Sequence, residues 1–296
     1  MDLKAYLRDK RAIVDAALKG FFPKAEGPAG DVVRAMQYSL FAGGKRLRPI
    51  LCMAGASAVG GEERYVIPVA CALEMIHTYS LIHDDLPAMD DDDLRRGKPT
   101  SHKVFGEALA LLAGDGLLTE AFRLMSATGS TDTVTPRAVI RVTGLIADAA
   151  GYRGMVGGQA VDIQAEGKEV PPELVRFIHT HKTGALISAS VTSGAILGGG
   201  NPEQVASITA YGNGIGLAFQ ISDDILDIEG DRETMGKGVG GDREKGKATY
   251  PSVHGLPMAK EMEEALVNEA IGALKGFKAE ADPLRYIAGY IIERKK

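Results

Sequence analysis

Apolar residues recur every three or four positions along almost the whole chain. The stretch from residue 66 to residue 81 shows the pattern, with apolar side chains at Val66, Val69, Ala70, Leu73, Ile76 and Leu81. This spacing places the side chains on one face of an α-helix. Sustained strand-like alternation is hard to find, so the pattern predicts an all-α fold.

Breaks in this periodicity, such as EGPAG, TGSTDT and GGGNP, mark the predicted helix ends. The predicted helices cover residues 2–19, 28–42, 46–59, 62–84, 107–127, 136–150, 171–197, 202–229, 257–275 and 281–292. No Ser- or Pro-rich linker and no fixed-period repeat divides the chain, which favours one domain over residues 1–296. Residues 229–251 are rich in glycine and charge, and we expect a mobile loop there.

Composition and charge narrow the classes of function. Hydrophobic residues make up 45% of the 296 residues, which is enough for a buried core. The formal charge of -5 gives no general attraction to nucleic acid or anionic lipid, so an anionic ligand needs a local basic cluster. The N-terminal sequence lacks the apolar run of a signal peptide or membrane span, and we expect a cytoplasmic protein without membrane insertion.

The two cysteines, Cys52 and Cys71, lie in apolar helical runs. Their spacing fits neither a zinc site nor a redox motif. They are predicted to be core residues in a reducing compartment.

Two clusters of aspartates are the most informative feature of the sequence. The first, DDLPAMDDDD, occupies residues 84–93, and the second, QISDDILDIEGD, occupies residues 220–231. Asp223 and Asp227 are four residues apart and share a helix face, with Gln220 one turn before them. Like charges at such close range raise one another's pKa, and carboxylates on an apolar helix are costly without partners. Both clusters therefore call for positive charge.

Carboxylate oxygens without accompanying His or Cys ligands suit a hard cation. Mg²⁺ prefers one or two carboxylates and completes its shell with water and phosphate oxygens. Two such clusters facing each other would hold several Mg²⁺ ions on a diphosphate. A calcium loop is the weaker alternative because the EF-hand spacing is absent, and a solvated acidic turn would explain one cluster but not two.

Basic residues occur at helix starts and breaks, where an anion could be held. The segment AGGKRLRP contributes Lys45, Arg46 and Arg48 after a Gly-Gly break, and surface charge at a helix start is the alternative explanation. Other basic or polar candidates are Arg95 and Arg96 after the first cluster, Lys182 and Thr183 within HKTGAL, and Lys237 and Lys247 in the predicted loop. The loop lysines could close over a ligand or simply be solvated.

His77 and Ser80 lie seven and four residues before Asp84. An ideal helix places these three side chains on one face. A lone histidine is usually a packed or surface residue, but its position on the same face as the first cluster favours a role in ligand binding.

The motifs DDLPAMDDDDLRRGKPT and FQISDDILDIEGD, preceded by GGKRLRP, resemble the trans-isoprenyl diphosphate synthase (polyprenyl synthetase) family. The likeness is strongest to its bacterial farnesyl diphosphate synthases. It covers nearly the whole chain and includes HKTGAL, GKGVGGDREKGKATYPS and the C-terminal YIIERKK. The resemblance implies the all-α isoprenoid synthase fold around a central cavity, and a homodimer.

The resemblance also implies roles for individual residues. Asp84, Asp90 and Asp223 would be direct Mg²⁺ ligands, with about three Mg²⁺ ions per active site and Mn²⁺ as an alternative metal. Asp85, Asp224 and Asp227 would support them. Isopentenyl diphosphate would be held by Lys45, Arg48, His77 and Arg96, and the allylic diphosphate by Arg95, Lys182, Thr183, Gln220, Lys237 and Lys247.

The implied reaction explains the acidic clusters. An allylic diphosphate ionises, isopentenyl diphosphate attacks the allylic cation, and loss of a proton leaves a product one isoprene unit longer. Metal ions and basic side chains would stabilise the leaving diphosphate, and an apolar cavity would exclude water. Residues 229–251 are a candidate lid.

Tyr79 and Ser80 are the residues that the resemblance connects with product length. They lie five and four residues before Asp84, and with the Pro87-Ala88 insertion they imply a stop at fifteen carbons. At about 100° per residue, Ser80 lies nearly under Asp84, whereas Tyr79 is rotated away. The alternative to a role in product length is therefore that Tyr79 is an ordinary aromatic residue of the core.

Other functions remain open on the sequence. A geranylgeranyl diphosphate synthase differs only in product length. A terpene cyclase usually carries an Asn/Ser/Glu-type second metal motif, which DDILD is not. A non-catalytic prenyl synthase subunit typically lacks metal ligands, and here both clusters are complete. A plain helical interaction protein would need neither.

Overall fold

The computed structural model describes residues 1–22, 24–132, 134–229 and 246–293. Within these ranges the regular structure is helical, apart from a short antiparallel hairpin in which β1 (Leu94–Arg95) pairs with β2 (Lys98–Pro99). The all-α fold that the hydrophobic periodicity predicts is confirmed.

The α-helices are α1 (Leu3–Phe21), α2 (Gly30–Leu40), α3 (Leu47–Ala58), α4 (Ile67–Asp84), α5 (Ser101–Phe105), α6 (Glu107–Ser126), α7 (Pro136–Ala150), α8 (Met155–Ala165), α9 (Pro172–Ile178), α10 (Ala185–Leu197), α11 (Pro202–Glu229), α12 (Tyr250–His254), α13 (Leu256–Ala273) and α14 (Asp282–Glu293). Between α9 and α10 the chain makes a π-helical turn, His179–Gly184, called the π-turn below. Short 3₁₀ turns at Glu63–Tyr65 and Ala279–Ala281 precede α4 and α14.

The predicted helix pattern was wrong in several places, and it did not include the short helices α5 and α12. The helix predicted over residues 171–197 is divided into α9, the π-turn and α10. The sequence prediction also omitted α8, whose MVGG start contains two adjacent glycines, Gly157 and Gly158. Glycine lowers intrinsic helix propensity, and tertiary packing overrides that preference here.

Helix α10 forms the centre of the molecule. Every residue from Leu186 to Leu197 is buried, as expected for a helix of small and apolar residues without charge. It packs against α3, α7 and α11. A Cβ at Gly194 would lie 1.9 Å from the Cys52 carbonyl oxygen, so glycine is what lets α10 and α3 approach so closely.

The two cysteines are core residues, as predicted. Cys52 and Cys71 are free and fully buried. Burial raises the pKa of the Cys71 thiol to about 12, which leaves it protonated and unreactive at neutral pH.

None of the helices in the described ranges combines the length and apolar composition needed to cross a bilayer.

Two of the amphipathic helices begin with a side-chain cap. The Asp2 side chain accepts a hydrogen bond from the Ala5 N–H at the start of α1, and Thr135 does the same for Ala138 at the start of α7.

Candidate active site

The first aspartate cluster begins where α4 ends. Asp84 is the last residue of α4, and the Asp90 N–H donates a hydrogen bond of 2.8 Å to the Asp84 carbonyl oxygen. This bond folds the intervening turn back on itself, with Pro87 and Ala88 exposed. The backbone therefore brings Asp84 and Asp90 together across the insertion.

The aspartates of this cluster have different partners. Asp85 is buried and accepts a hydrogen bond of 2.9 Å from Arg95 Nε, while Arg95 Nη2 also reaches Asp92 at 3.1 Å. Arg95 is held there by the β1–β2 hairpin. Asp85 is thus compensated within the protein.

Asp84 lies in a different electrostatic environment. Burial, together with the charges of Asp90 and Asp85, raises the pKa of Asp84 to about 6, although Lys182 and Arg95 oppose the shift. A carboxyl group in such a position gains stability from an added cation. The crowding of like charges in the cluster predicts a raised pKa of this kind.

The second cluster, on α11, also divides into two roles. Asp224 is buried and accepts hydrogen bonds from the Tyr250 N–H at 2.9 Å and from Gln220 Nε2 at 3.2 Å, and His179 Nε2 lies 2.7 Å from its Oδ2. Asp223 and Asp227 are only partly buried. Asp224 therefore connects α11 to the π-turn and to α12, whereas Asp223 and Asp227 remain accessible.

A cavity of about 600 Å³ lies beside the first cluster. Its polar lining includes Arg48, His77, Ser80, Asp84, Gln159, Lys182 and Thr183, and its apolar lining includes Tyr79, Leu81, Leu86, Met89, Leu111, Met155 and Ile163. His77, Ser80 and Asp84 share this lining, as the helical spacing predicts. Tyr79 lines the same cavity despite its rotation away from Asp84 along the helix.

A smaller cavity of about 80 Å³ lies beside the second cluster. It is lined by Asp162, His179, Gln220, Asp224, Lys247 and Thr249, and it shares Lys182 and Thr183 with the larger cavity. The π-turn that carries the two shared residues therefore lies between the acidic clusters.

Two further contacts connect the clusters. Lys247 Nζ lies 3.5 Å from Asp90 Oδ1, and the charge of Asp223 acts on Arg48, which lines the larger cavity. The two clusters thus belong to one site. Among the described residues, no three acidic, histidine or cysteine side chains converge as a complete metal cluster.

Arg48 and His77, which are both partly buried, form the basic part of the larger cavity. Burial lowers the pKa of Arg48 to about 10, and its Nε has no hydrogen-bond partner among the described residues. Burial and the neighbouring arginines Arg48, Arg96 and Arg95 lower the pKa of His77 well below its usual value near 6.5. The imidazole is therefore neutral at neutral pH, and the Arg48 guanidinium needs an anionic partner to complete its hydrogen bonds.

The backbone at the Gly-Gly break before α3 contacts the Arg96 side chain and holds it in place. The Arg96 guanidinium donates to the Gly43 carbonyl oxygen, and a Cβ at Gly44 would lie 2.7 Å from Arg96 Cζ. Gly44 has a φ of 124°, a conformation that glycine adopts without strain. Lys45, next in sequence, is exposed.

Arg46, one of the basic residues considered for anion binding, has a structural role instead. It is 2% exposed, and it donates to Asp15 Oδ1 and to Glu74 Oε1, each at 2.8 Å. A buried, compensated guanidinium of this kind stabilises the packing of α1, α3 and α4.

The π-turn positions Lys182 and Thr183. Lys182 Nζ donates to Asp162 Oδ2 at 2.6 Å, and Thr183 Oγ1 donates to Gln220 Oε1 at 2.9 Å. Helix α8 approaches the π-turn closely, since a Cβ at Gly158 would lie 2.2 Å from the Lys182 backbone nitrogen. π-helical turns occur frequently at functional sites.

Sequence reasoning missed Asp162, Gln159 and His179. Asp162 and Gln159 lie on α8, which was not predicted, and His179 lies two residues before the HKTGAL segment. Polar residues three apart in GGQAVD were the available signal for the first two. Of the predicted residues, Lys237 lies outside the described residues, as does most of the predicted loop.

Comparisons with known proteins find relatives over nearly the whole chain. The family model for polyprenyl synthetase matches residues 31–288. A farnesyl diphosphate synthase of Geobacillus stearothermophilus is 46% identical over 99% of this chain and 98% of its own length. The large subunit 1 of a heterodimeric chloroplastic geranylgeranyl pyrophosphate synthase of Arabidopsis thaliana is 48% identical over 99% of this chain and 80% of its own.

A solved structure shows the same fold. Geranylgeranyl pyrophosphate synthetase from Pyrococcus horikoshii superposes with a TM-score of 0.91 at 32% sequence identity, covering 99% of this chain and 98% of that one. Fold and site together define a transferase of isoprenoid biosynthesis, a prenyltransferase. The chain belongs to the polyprenyl synthetase family, as the resemblance of its motifs predicts.

Proposed function

We propose that this protein condenses isopentenyl diphosphate head-to-tail with dimethylallyl and then geranyl diphosphate, giving farnesyl diphosphate. The observation that carries the proposal is the cavity of about 600 Å³, which has Asp84, Lys182 and Arg48 in its wall and is otherwise largely apolar. Such a cavity suits a ligand with a diphosphate at one end and a hydrocarbon chain at the other.

The donor set fits Mg²⁺. Asp84, Asp90 and Asp223 would hold the ions, and they offer carboxylate oxygens of the kind that hard cations prefer. The raised pKa of Asp84 indicates a carboxylate that a cation would stabilise. Bound Mg²⁺, or Mn²⁺ in its place, would supply positive charge to the leaving diphosphate. Mg²⁺ usually keeps water and phosphate oxygens in its shell, and these would fill the positions that the carboxylates leave.

The basic residues would bind and orient the two diphosphates. Arg48, His77 and Arg96, with Lys45, would hold isopentenyl diphosphate, and an incoming phosphate oxygen would satisfy the Arg48 Nε that has no partner among the described residues. Arg95, Lys182, Thr183, Gln220 and Lys247, together with Lys237, would hold the allylic diphosphate.

The reaction breaks the allylic C–O bond and forms one C–C bond. Lys182 and Arg95 would stabilise the negative charge that develops on the departing diphosphate. The double bond of isopentenyl diphosphate then attacks the allylic cation, and the released diphosphate accepts the proton lost. The apolar lining of Leu81, Leu86 and Met155 would keep water from trapping the cation.

Other residues support the site indirectly, by holding the proposed binding residues in place. Arg95 fixes Asp85, and the contacts of Asp224 with His179, Gln220 and the Tyr250 N–H keep α11 in place. Because Gln220 also accepts from Thr183, Asp224 helps to orient the residues proposed to hold the allylic diphosphate. Asp227 would support Asp223 on the same helix face.

Product length is the finer part of the proposal. Tyr79 is 7% exposed, lines the cavity and lies beside Ser80, so its ring would block growth beyond fifteen carbons. We expect Tyr79→Ala to enlarge the cavity and shift the products towards twenty carbons or more, as measured by mass spectrometry of the dephosphorylated products. Ser80→Ala, at the other residue that the resemblance connects with product length, removes only a hydroxyl group and should give a smaller shift. An unchanged product spectrum in Tyr79→Ala would remove Tyr79 from this role.

Geranylgeranyl diphosphate formation is the second candidate. It is favoured by relatives of comparable identity that carry that name, including the protein from Arabidopsis thaliana. A non-catalytic subunit is the third, and the presence of both aspartate clusters argues against it. We further propose a homodimer, as the family resemblance implies, and a cytoplasmic location.

A further inference from the structure

His83 fits into a notch on α6 that requires a glycine. The residue lies in the last turn of α4 and lines the larger cavity. Its Nε2–H donates a hydrogen bond of 2.9 Å to the Leu111 carbonyl oxygen. A Cβ at Gly114 would lie 2.1 Å from the same nitrogen, which is far inside van der Waals contact. Any other residue at 114 would therefore displace the ring from this position, which we call the His83 notch.

Tyr79 packs against the ring that occupies the notch. Tyr79 and His83 are four residues apart on α4 and lie on one face. Their ring centroids are 5.6 Å apart at an interplanar angle of 82°, an edge-to-face arrangement. Both rings line the same cavity. The chain of contacts from α6 through His83 to Tyr79 thus limits where the Tyr79 ring can lie.

We propose that the His83 notch helps to determine product length by holding the Tyr79 ring across the cavity. The proposal rests on the proposed function, in which Tyr79 limits chain growth. His83 acts through Tyr79 and is therefore a positioning residue. Gly114 contributes by leaving room for the ring, a role that its place within a regular helix does not reveal.

The first test is His83→Ala, which removes the ring and leaves Tyr79 free to rotate. The readout is the ratio of the product one isoprene unit longer than the main wild-type product to that main product. We expect this ratio to rise about tenfold, the lower end of what a small change in an apolar pocket gives. The KM for isopentenyl diphosphate should stay at its wild-type value, because the basic residues are untouched. If His83→Ala fails to fold, His83→Gln keeps a donor for Leu111 but lacks the ring, and we expect the same rise.

The second test is a cycle with Gly114→Ala. This change should alter the product ratio in the wild-type background and have no further effect in the His83→Ala background, where the colliding ring is absent. Gly144→Ala, at an exposed position of α7 with nothing within 4 Å of its Cβ, should leave the ratio unchanged. An equal effect of Gly114→Ala in both backgrounds would overturn the proposal.

The third test separates this inference from the proposed function. In a Tyr79→Ala background, His83→Ala should add no further change to the product ratio. If Tyr79→Ala lengthens the product while His83→Ala alone keeps the wild-type ratio, the notch has no role and the proposed function stands. If Tyr79→Ala itself leaves the product unchanged, Tyr79 is not the limit and the notch proposal fails with it, while the proposed condensation reaction stands.

Discussion

Asp223 and Asp224 are neighbours in the chain with different surroundings. Asp224 is buried with three hydrogen-bonding neighbours, whereas Asp223 is accessible and acts electrostatically on Arg48 in the wall of the larger cavity. Of these two adjacent carboxylates, Asp223 is therefore proposed to bind metal, whereas Asp224 positions α11.

Alanine substitutions should distinguish these two roles. We expect Asp223→Ala to lower kcat by a factor on the order of 100 or more, with an unchanged unfolding midpoint. Asp224→Ala should lower the free energy of unfolding by about 1–3 kcal/mol, because His179 and Gln220 lose a buried acceptor. Steady-state kinetics and urea unfolding measure both. Wild-type stability in Asp224→Ala would show that the three contacts contribute nothing.

His77 should make the protein sensitive to acid. Its pKa is lowered in the folded state, so the unfolded chain takes up a proton near pH 6.5 while the folded protein does not. The free energy of unfolding should then fall as pH drops below about 6.5, by up to about 1.4 kcal/mol per pH unit from this group.

Replacing His77 tests this linkage. His77→Gln should lose less stability between neutral pH and pH values below about 6.5 than wild type does. Urea unfolding across this range measures the difference. Parallel pH profiles for the two proteins would contradict a His77 that stays neutral in the folded protein.

Sequence reasoning at the residue scale succeeded where spacing on one helix decides the outcome. His77, Ser80 and Asp84 line one cavity, as their spacing on α4 predicts. It failed where partners come from distant elements, as in the contact of Lys182 with Asp162 or of His179 with Asp224. Helical periodicity carries no information about such pairs.

At the scale of elements, the π-turn and α8 determine the middle of the site. The sequence predicts one helix over residues 171–197, because apolar residues at helical spacing flank the polar HTHKTG segment on both sides. A π-helical turn differs from an α-helical turn by one residue, and hydrophobic periodicity does not detect so small a change. Helix α8 was missed because its glycines serve close packing against the π-turn, and a propensity argument counts them only as helix breakers.

Two glycine substitutions should have opposite effects. A Cβ at Gly158 would lie 2.2 Å from the Lys182 backbone nitrogen, so Gly158→Ala should force α8 from the π-turn and lower both stability and kcat. Gly144→Ala, in open space on α7, should raise the free energy of unfolding by about 0.5–1 kcal/mol and leave kcat unchanged. Thermal unfolding and kinetics compare the pair. Wild-type kcat in a folded Gly158→Ala protein would contradict the role of the close approach.

At the scale of the whole molecule, the fold joins two acidic clusters more than a hundred residues apart in sequence into one site. The sequence predicted the two clusters and the helical fold, and family membership confirms the fold. The sequence alone could not predict the shape of the cavity. That shape depends on Leu111 of α6 and on Met155 and Ile163 of α8 as much as on α4. Product length depends on that shape, so it is the property least accessible to motif analysis.

The most direct test of the account is the mass of the product formed by the purified wild-type protein. The protein is incubated with Mg²⁺ and isopentenyl diphosphate, and with dimethylallyl or geranyl diphosphate in separate reactions. The account predicts a dominant fifteen-carbon product from either starter, and no product when the metal is chelated. A twenty-carbon product would retain the reaction and contradict the proposed limit at Tyr79. Absence of metal-dependent elongation from both starters would contradict the central claim.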